Sequence, residues 1–164
     1  MKIATLLFIA FVSISSFGFA QTVTIGTQTW MTKNLDVATF RNGDVIPQAK
    51  TDEEWQAAGE NKSPAWCYYD NDPKNGTKYG KLYNWYAVND ARGLALTGYH
   101  IPTDKEWTVL STFIGGEEFA GEKMKSSIGW NDAGNGNNSS GFSGLPGGCR
   151  NDYGVFNNVG NICT

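Results

Sequence analysis

Histidine and cysteine are scarce in this chain of 164 residues: one His, at position 100, and three Cys, at positions 67, 149 and 163. No two cysteines are spaced Cys-x-x-Cys and His100 is far from all three in sequence, so the ligand set of a structural zinc site is missing. An excess of positive charge is lacking as well. Thirteen Lys and Arg stand against sixteen Asp and Glu, a net charge of -3 with a pI near 5.1, which leaves no basic surplus to neutralise phosphates and argues against nucleic acid as a partner. After residue 20 no stretch is apolar enough to span a bilayer, so no membrane span is expected in the mature chain. What is present is apolar and aromatic: 40% hydrophobic and 13% aromatic residues suffice for one packed domain without a dense disulfide framework.

Residues 1–20, MKIATLLFIAFVSISSFGFA, carry Lys2, an apolar run from Ile3 to Ile14, and then small residues ending in Gly18 and Ala20. This is the pattern of a secretory signal peptide cleaved after Ala20, with a mature start at Gln21. The rival reading, a membrane anchor, is opposed by a run shorter than the roughly 20 residues a spanning helix needs. Export to the periplasm, the cell surface or the medium follows, and the oxidising setting makes Cys67, Cys149 and Cys163 disulfide candidates. Three is odd, so one is left over and the pairing stays open.

Along the mature chain, Val23, Ile25 and Trp30 around Gly26 read as an N-terminal hairpin, and Asn42-Gly43-Asp44 as a further tight turn. Thr51 with Glu54, and Thr103 with Glu106, form two capping boxes. They predict a helix from Asp52 to Ala58 stopped by Gly59, and one starting after Thr103 with Trp107, Leu110, Phe113 and Ile114 on its buried face, ended by Gly115-Gly116. Ala65–Tyr69 reads as an aromatic strand, 70–80 as a turn, and Leu82–Val88 as core that periodicity leaves between strand and helix, with helix favoured. Glu117–Ser126 reads as a short amphipathic helix with Phe119 and Met124 inward. Beyond Trp130, Gly, Asn and Ser predominate, predicting short strands and long loops.

Asp70, Asn71 and Asp72 supply the oxygens a hard cation such as calcium takes, but Lys74 stands where a further ligand would be and the loop lacks a Glu at its twelfth position. A solvated turn bent at Pro73 is the competing reading. His100, with Asp104 or Glu106 nearby, could serve as a general base, although its place before Ile101 and Pro102 suits a core or rim histidine. No cysteine has a local partner that would make it a nucleophile. Trp55, Trp66, Tyr68, Tyr69, Tyr79, Trp85, Tyr86 and Trp130 exceed what a core needs; those at loop tips, Trp130 and Tyr79 among them, are candidates to stack on a sugar or dock a protein.

IGTQTWMTKNL from Ile25, CYYDNDPKNGTKYGKLYNWYAVND from Cys67, GYHIPTDKEW from Gly98 and SGFSGLPGGCR from Ser140 together resemble the Fibrobacter succinogenes major paralogous domain. That family is grouped with C-type-lectin-like folds and is a distant relative of formylglycine-generating enzyme domains, whose Pro-Thr-x-x-x-Trp helix start is similar to Pro102, Thr103 and Trp107. The resemblance implies an α+β, C-type-lectin-like fold over 21–164, with short helices on small twisted antiparallel sheets and long loops. Family members continue through a Trp-Trp-Ser-Ser stretch, so it also implies a domain lacking its last strands. Trp130-Asn131-Asp132 is similar to the tripeptide that supplies calcium ligands in sugar-binding C-type lectins, which adds Asn131 and Asp132 to the metal candidates; no Glu-Pro-Asn or Gln-Pro-Asp accompanies it. The expected function is an exported, non-catalytic domain that binds a protein or glycan at the cell surface, without a cofactor unless calcium serves. The alternatives are a carbohydrate-binding module and an enzyme of the formylglycine-generating type.

Overall fold

A computed structural model provides the structure, which describes residues 21–161. The chain opens with a hairpin of β1 (Thr22–Ile25) and β2 (Gln28–Met31), paired Thr22 to Met31 through Ile25 to Gln28. Strand alternation turns Val23, Ile25 and Trp30 inward and leaves Thr22, Thr24 and Thr29 outside. Gly26 makes the reversal at a φ of 61°, and a Cβ there would sit 2.9 Å from the Phe113 ring, so the turn requires glycine twice over.

Helix α1 (Asp52–Glu60) starts with the Thr51–Glu54 capping box. It runs through Gly59 instead of stopping there, because a glycine inside a helix costs only about 1 kcal/mol; Lys62, at a φ of 53°, makes the reversal. The aromatic stretch after Ala65 is extended only over β3 (Trp66–Cys67), and a 3-10 turn follows at Tyr69–Asn71.

The segment read as a turn is a helix, α2 (Pro73–Tyr79). Asp72 caps it by accepting the Lys74 amide at 2.8 Å, Pro73 fills the first position, and Gly80 ends it. Leu82–Val88 divides: β4 (Leu82–Tyr83) pairs with β3, and Asn84 caps the single turn of α3 (Trp85–Val88). Helix α4 (Asp104–Phe113) carries the second capping box. Its buried stripe is Leu110 and Ile114, with Trp107 40% and Phe113 64% exposed. At 100° per residue Phe113 falls about 100° from Ile114, off the stripe, and Trp107 sits at the first turn, where it reaches back to the hairpin. In α5 (Glu117–Met124) Met124 packs on the core, whereas Phe119 is exposed beneath the Lys123 ammonium. The Gly/Asn-rich stretch contributes β5 (Cys149–Arg150) and β6 (Phe156–Asn157), and the rest of it is loop.

The architecture is therefore α+β: five short helices and three two-stranded antiparallel sheets among the described residues. Its interior is three small clusters. One joins Phe40, Ile46, Trp66, Ala87 and Leu94; a second joins Ile25, Trp30, Leu110 and Ile114; a third joins Ala49, Trp55, Ala65 and Cys67. Arg150 ties the last of these to the C-terminal sheet. Its buried guanidinium donates to the carbonyls of Gly154, Ala49 and Thr51 and to Asp52, and lies 4.5 Å from the Phe156 ring centre.

Candidate functional site

A cavity of about 890 Å³ lies beside the second cluster. One wall is the unbroken run 28–35, another is 98–102 with the first turn of α4, and the third comes from α5 and the loop around Phe142. Residues from both faces of β2 contribute to it, Gln28 and Trp30 from the inward face and Thr29 and Met31 from the other.

The floor is aromatic. Trp30 packs against Trp107 at 4.7 Å with the rings tilted by 35°, and meets Phe142 edge-on at 5.7 Å. Trp30 is 8% exposed, yet its indole N–H has no acceptor, and the buried Oε1 of Gln28 has no donor, while the Gln28 amide nitrogen donates to the Glu106 carbonyl at 3.1 Å. Burying such groups unpaired costs about 1–3 kcal/mol each; both residues contribute to the cavity wall, with these two atoms sealed behind it.

The charged groups at the rim are held by the fold. Glu106 Oε2 closes the capping box by accepting from the Thr103 amide at 2.8 Å, and Oε1 meets His100 Nε2 at 2.7 Å. The Thr103 amide and hydroxyl, then His100, lower the Glu106 carboxyl to about 2. Lys125 lies over the Trp130 ring at 4.5 Å. His100 is thus a rim histidine, its side chain 69% exposed.

The residues singled out from the sequence scatter. Trp130 does line the cavity, buried and anchored by its indole N–H to Ser126 and to the Gly144 carbonyl. Tyr79 is 7% exposed and belongs to the interior of α2, with little face left for a ligand. Asp70 is exposed in a left-handed conformation, Asp72 is spent on capping α2, and Asn71 has a buried carbonyl oxygen without a donor. Asn131 is tied by its backbone to Gly160 and by its side chain to Val159, with Asp132 exposed beside it. Among the described residues no three His, Cys, Asp or Glu side chains gather as a metal site would require. Cys67 is fully buried with its thiol pKa raised by burial, and Cys149 donates weakly to the Asn157 carbonyl; both are free thiols, while Cys163 lies outside the described residues. The proposed signal segment also lies outside them, and no described helix is long and apolar enough to cross a membrane.

Gln28, Trp30, Tyr99, Trp107 and Phe142 are not among the site candidates the sequence offers, although each falls within IGTQTWMTKNL, GYHIPTDKEW or SGFSGLPGGCR. The available signal was weaker: two tryptophans at hairpin and helix starts that one small core would not absorb. No curated protein and no solved structure matches the chain. The Fibrobacter succinogenes major domain model matches residues 23–163, nearly the whole described chain, and the protein belongs to that family.

Proposed function

We propose that this is an exported, non-catalytic binding domain whose ligand seat is the aromatic groove beside β2. The observation that carries the reading is the groove itself, a cavity of about 890 Å³ floored by Trp30, Trp107 and Phe142. A concave, mostly apolar site with a few polar groups at its rim is the usual form of a ligand seat. The rim supports binding over turnover. The Glu106 carboxylate is occupied by backbone, hydroxyl and imidazole partners, so a base there would have to abandon a helix cap to act. Export is supported by the apolar segment with its small-residue end at Ala20.

A carbohydrate-binding module is the second reading, favoured by the Trp107 ring, 40% exposed at the groove mouth and packed against Trp30, a surface on which a sugar could lie. The test is chemical-shift mapping on the mature protein with glycan and peptide pools, followed by Trp107→Ala. Ligand-induced shifts in the Trp30 and Trp107 indole signals, lost in the variant, are expected. Shifts confined to another face, or substrate turnover that requires His100 or Glu106, would overturn the proposal. Mass spectrometry of the secreted protein should give an N-terminus at Gln21.

A further inference from the structure

Three Asn-Gly pairs occur in the chain, at 42–43, 75–76 and 135–136. Asparagine before glycine is chemically labile, because a glycine backbone nitrogen, with no Cβ beside it, reaches the asparagine side-chain carbonyl carbon with little hindrance. The approach requires the asparagine to leave its folded geometry. In a folded protein it therefore proceeds from a locally opened state, and its rate follows how readily each site opens.

Opening breaks different things at the three sites. Asn75 and Gly76 lie inside α2, where Asn75 Nδ2 donates to the Tyr69 carbonyl at 3.0 Å and Gly76 is buried so closely that a Cβ there would enter the Tyr68 ring. Asn135 Oδ1 accepts from the Trp130 amide at 2.9 Å, the Gly136 amide donates to the Ser126 carbonyl at 3.0 Å, and a Cβ on Gly136 would run into the carbonyls of Glu122 and Lys125. Asn42 and Gly43 instead form the tip of a hairpin. Thr39 bridges to Val45, the Phe40 amide donates to the Asp44 carbonyl at 2.8 Å, and the Gly43 amide turns back to the Phe40 carbonyl at 2.9 Å. Both tip residues are exposed, and nothing lies within 4 Å of where a Gly43 Cβ would stand. Opening this tip breaks the Gly43 turn bond and the 3.0 Å bond from the Asp44 amide to Asn42 Oδ1, both at the surface, and unpacks no side chain from the core.

We infer that Asn42 is a site of spontaneous covalent modification, deamidation through a cyclic imide with water as the co-reactant, and that the fold protects Asn75 and Asn135. The Gly43 nitrogen gives its proton to solvent and bonds to Asn42 Cγ; the Cγ–Nδ2 bond breaks and ammonia leaves. Water then opens the imide. Attack at Cγ restores the ordinary main chain with aspartate at position 42, and attack at the main-chain carbonyl carbon leaves isoaspartate, whose backbone runs through Cβ and Cγ. Either product sets a carboxylate beside Asp44, which pairs with Arg92 at 3.0 Å, while Arg92 also holds Asp90 at 2.8 Å and lies over the Phe40 ring. The isoaspartate form also lengthens the main chain between the two hydrogen-bonded residues Phe40 and Asp44.

The test holds the mature protein at mildly alkaline pH, folded and in guanidinium, and follows all three sites by peptide mapping, with electron-transfer fragmentation to separate isoaspartate from aspartate. In the folded protein position 42 should convert at least about tenfold faster than positions 75 and 135, and in guanidinium the three rates should come within about threefold of one another. A smaller ratio in the folded protein, or conversion at 75 or 135 ahead of 42, would overturn the inference. So would a ranking that persists unchanged in guanidinium, since local sequence and not the fold would then set it.

Discussion

Replacing Trp30 and Trp66 by phenylalanine, one at a time, separates the cost of an orphaned donor from the cost of lost volume. Both side chains are buried to a similar degree, 8% and 7% exposed. Trp66 donates to the Ile46 carbonyl at 2.8 Å, whereas the Trp30 N–H donates to nothing. In Trp66→Phe the Ile46 carbonyl is stranded, at about 1–3 kcal/mol, and a void of a few tens of Å³ adds roughly 1 kcal/mol at about 24 cal/mol per Å³. In Trp30→Phe the void opens toward a cavity that already exists, and removing the unpaired N–H returns about 1–3 kcal/mol. The two substitutions should differ by at least about 2 kcal/mol, with Trp30→Phe near neutral. At about 2–4 °C per kcal/mol for a domain of this size, Trp66→Phe should lower Tm by roughly 6–12 °C and Trp30→Phe by less than about 3 °C, read by scanning calorimetry at neutral pH. Equal losses would refute the claim that Trp30 is held in the apo protein with its N–H unpaired.

Arg150→Met should cost about 3–5 kcal/mol in urea unfolding, since it leaves three carbonyls without their charged donor. Asp52→Asn should cost far less, because Asp52 is 57% exposed and its pair is screened by water. The Glu106 carboxyl is lowered in the folded state to about 2 from the ordinary 4.5, so it contributes stability above pH 4.5 that is lost as the pH falls toward 2. Glu106→Gln should flatten the fall in Tm over that window and leave its shape above pH 5 unchanged. Gly76→Ala should destabilise α2 in spite of alanine's higher helix propensity, because the new Cβ would enter the Tyr68 ring; circular dichroism melts would show it. Cys67, fully buried with a raised thiol pKa, should resist alkylation until the protein unfolds, as peptide mass mapping would reveal.

The parts of the fold that were legible from the sequence are those set by neighbours in the chain. The hairpin follows from alternation around Gly26, and α1 and α4 follow from hydroxyl and carboxylate residues three apart. Helix α2 is hidden because Asn75-Gly76 resembles a turn, although Asp72-Pro73 at its start and Gly80 at its end are the stronger signals, a cap, a fixed φ and a stop. Phe113 was placed inward because an apolar residue near a helical stripe is ordinarily core, but its partner is the glycine turn of the hairpin, a surface that forms only when the tertiary structure does. The groove was illegible for the same reason. Its walls come from positions near 30, 100 and 142, and periodicity reports which face of a strand is buried, never which distant segments meet there.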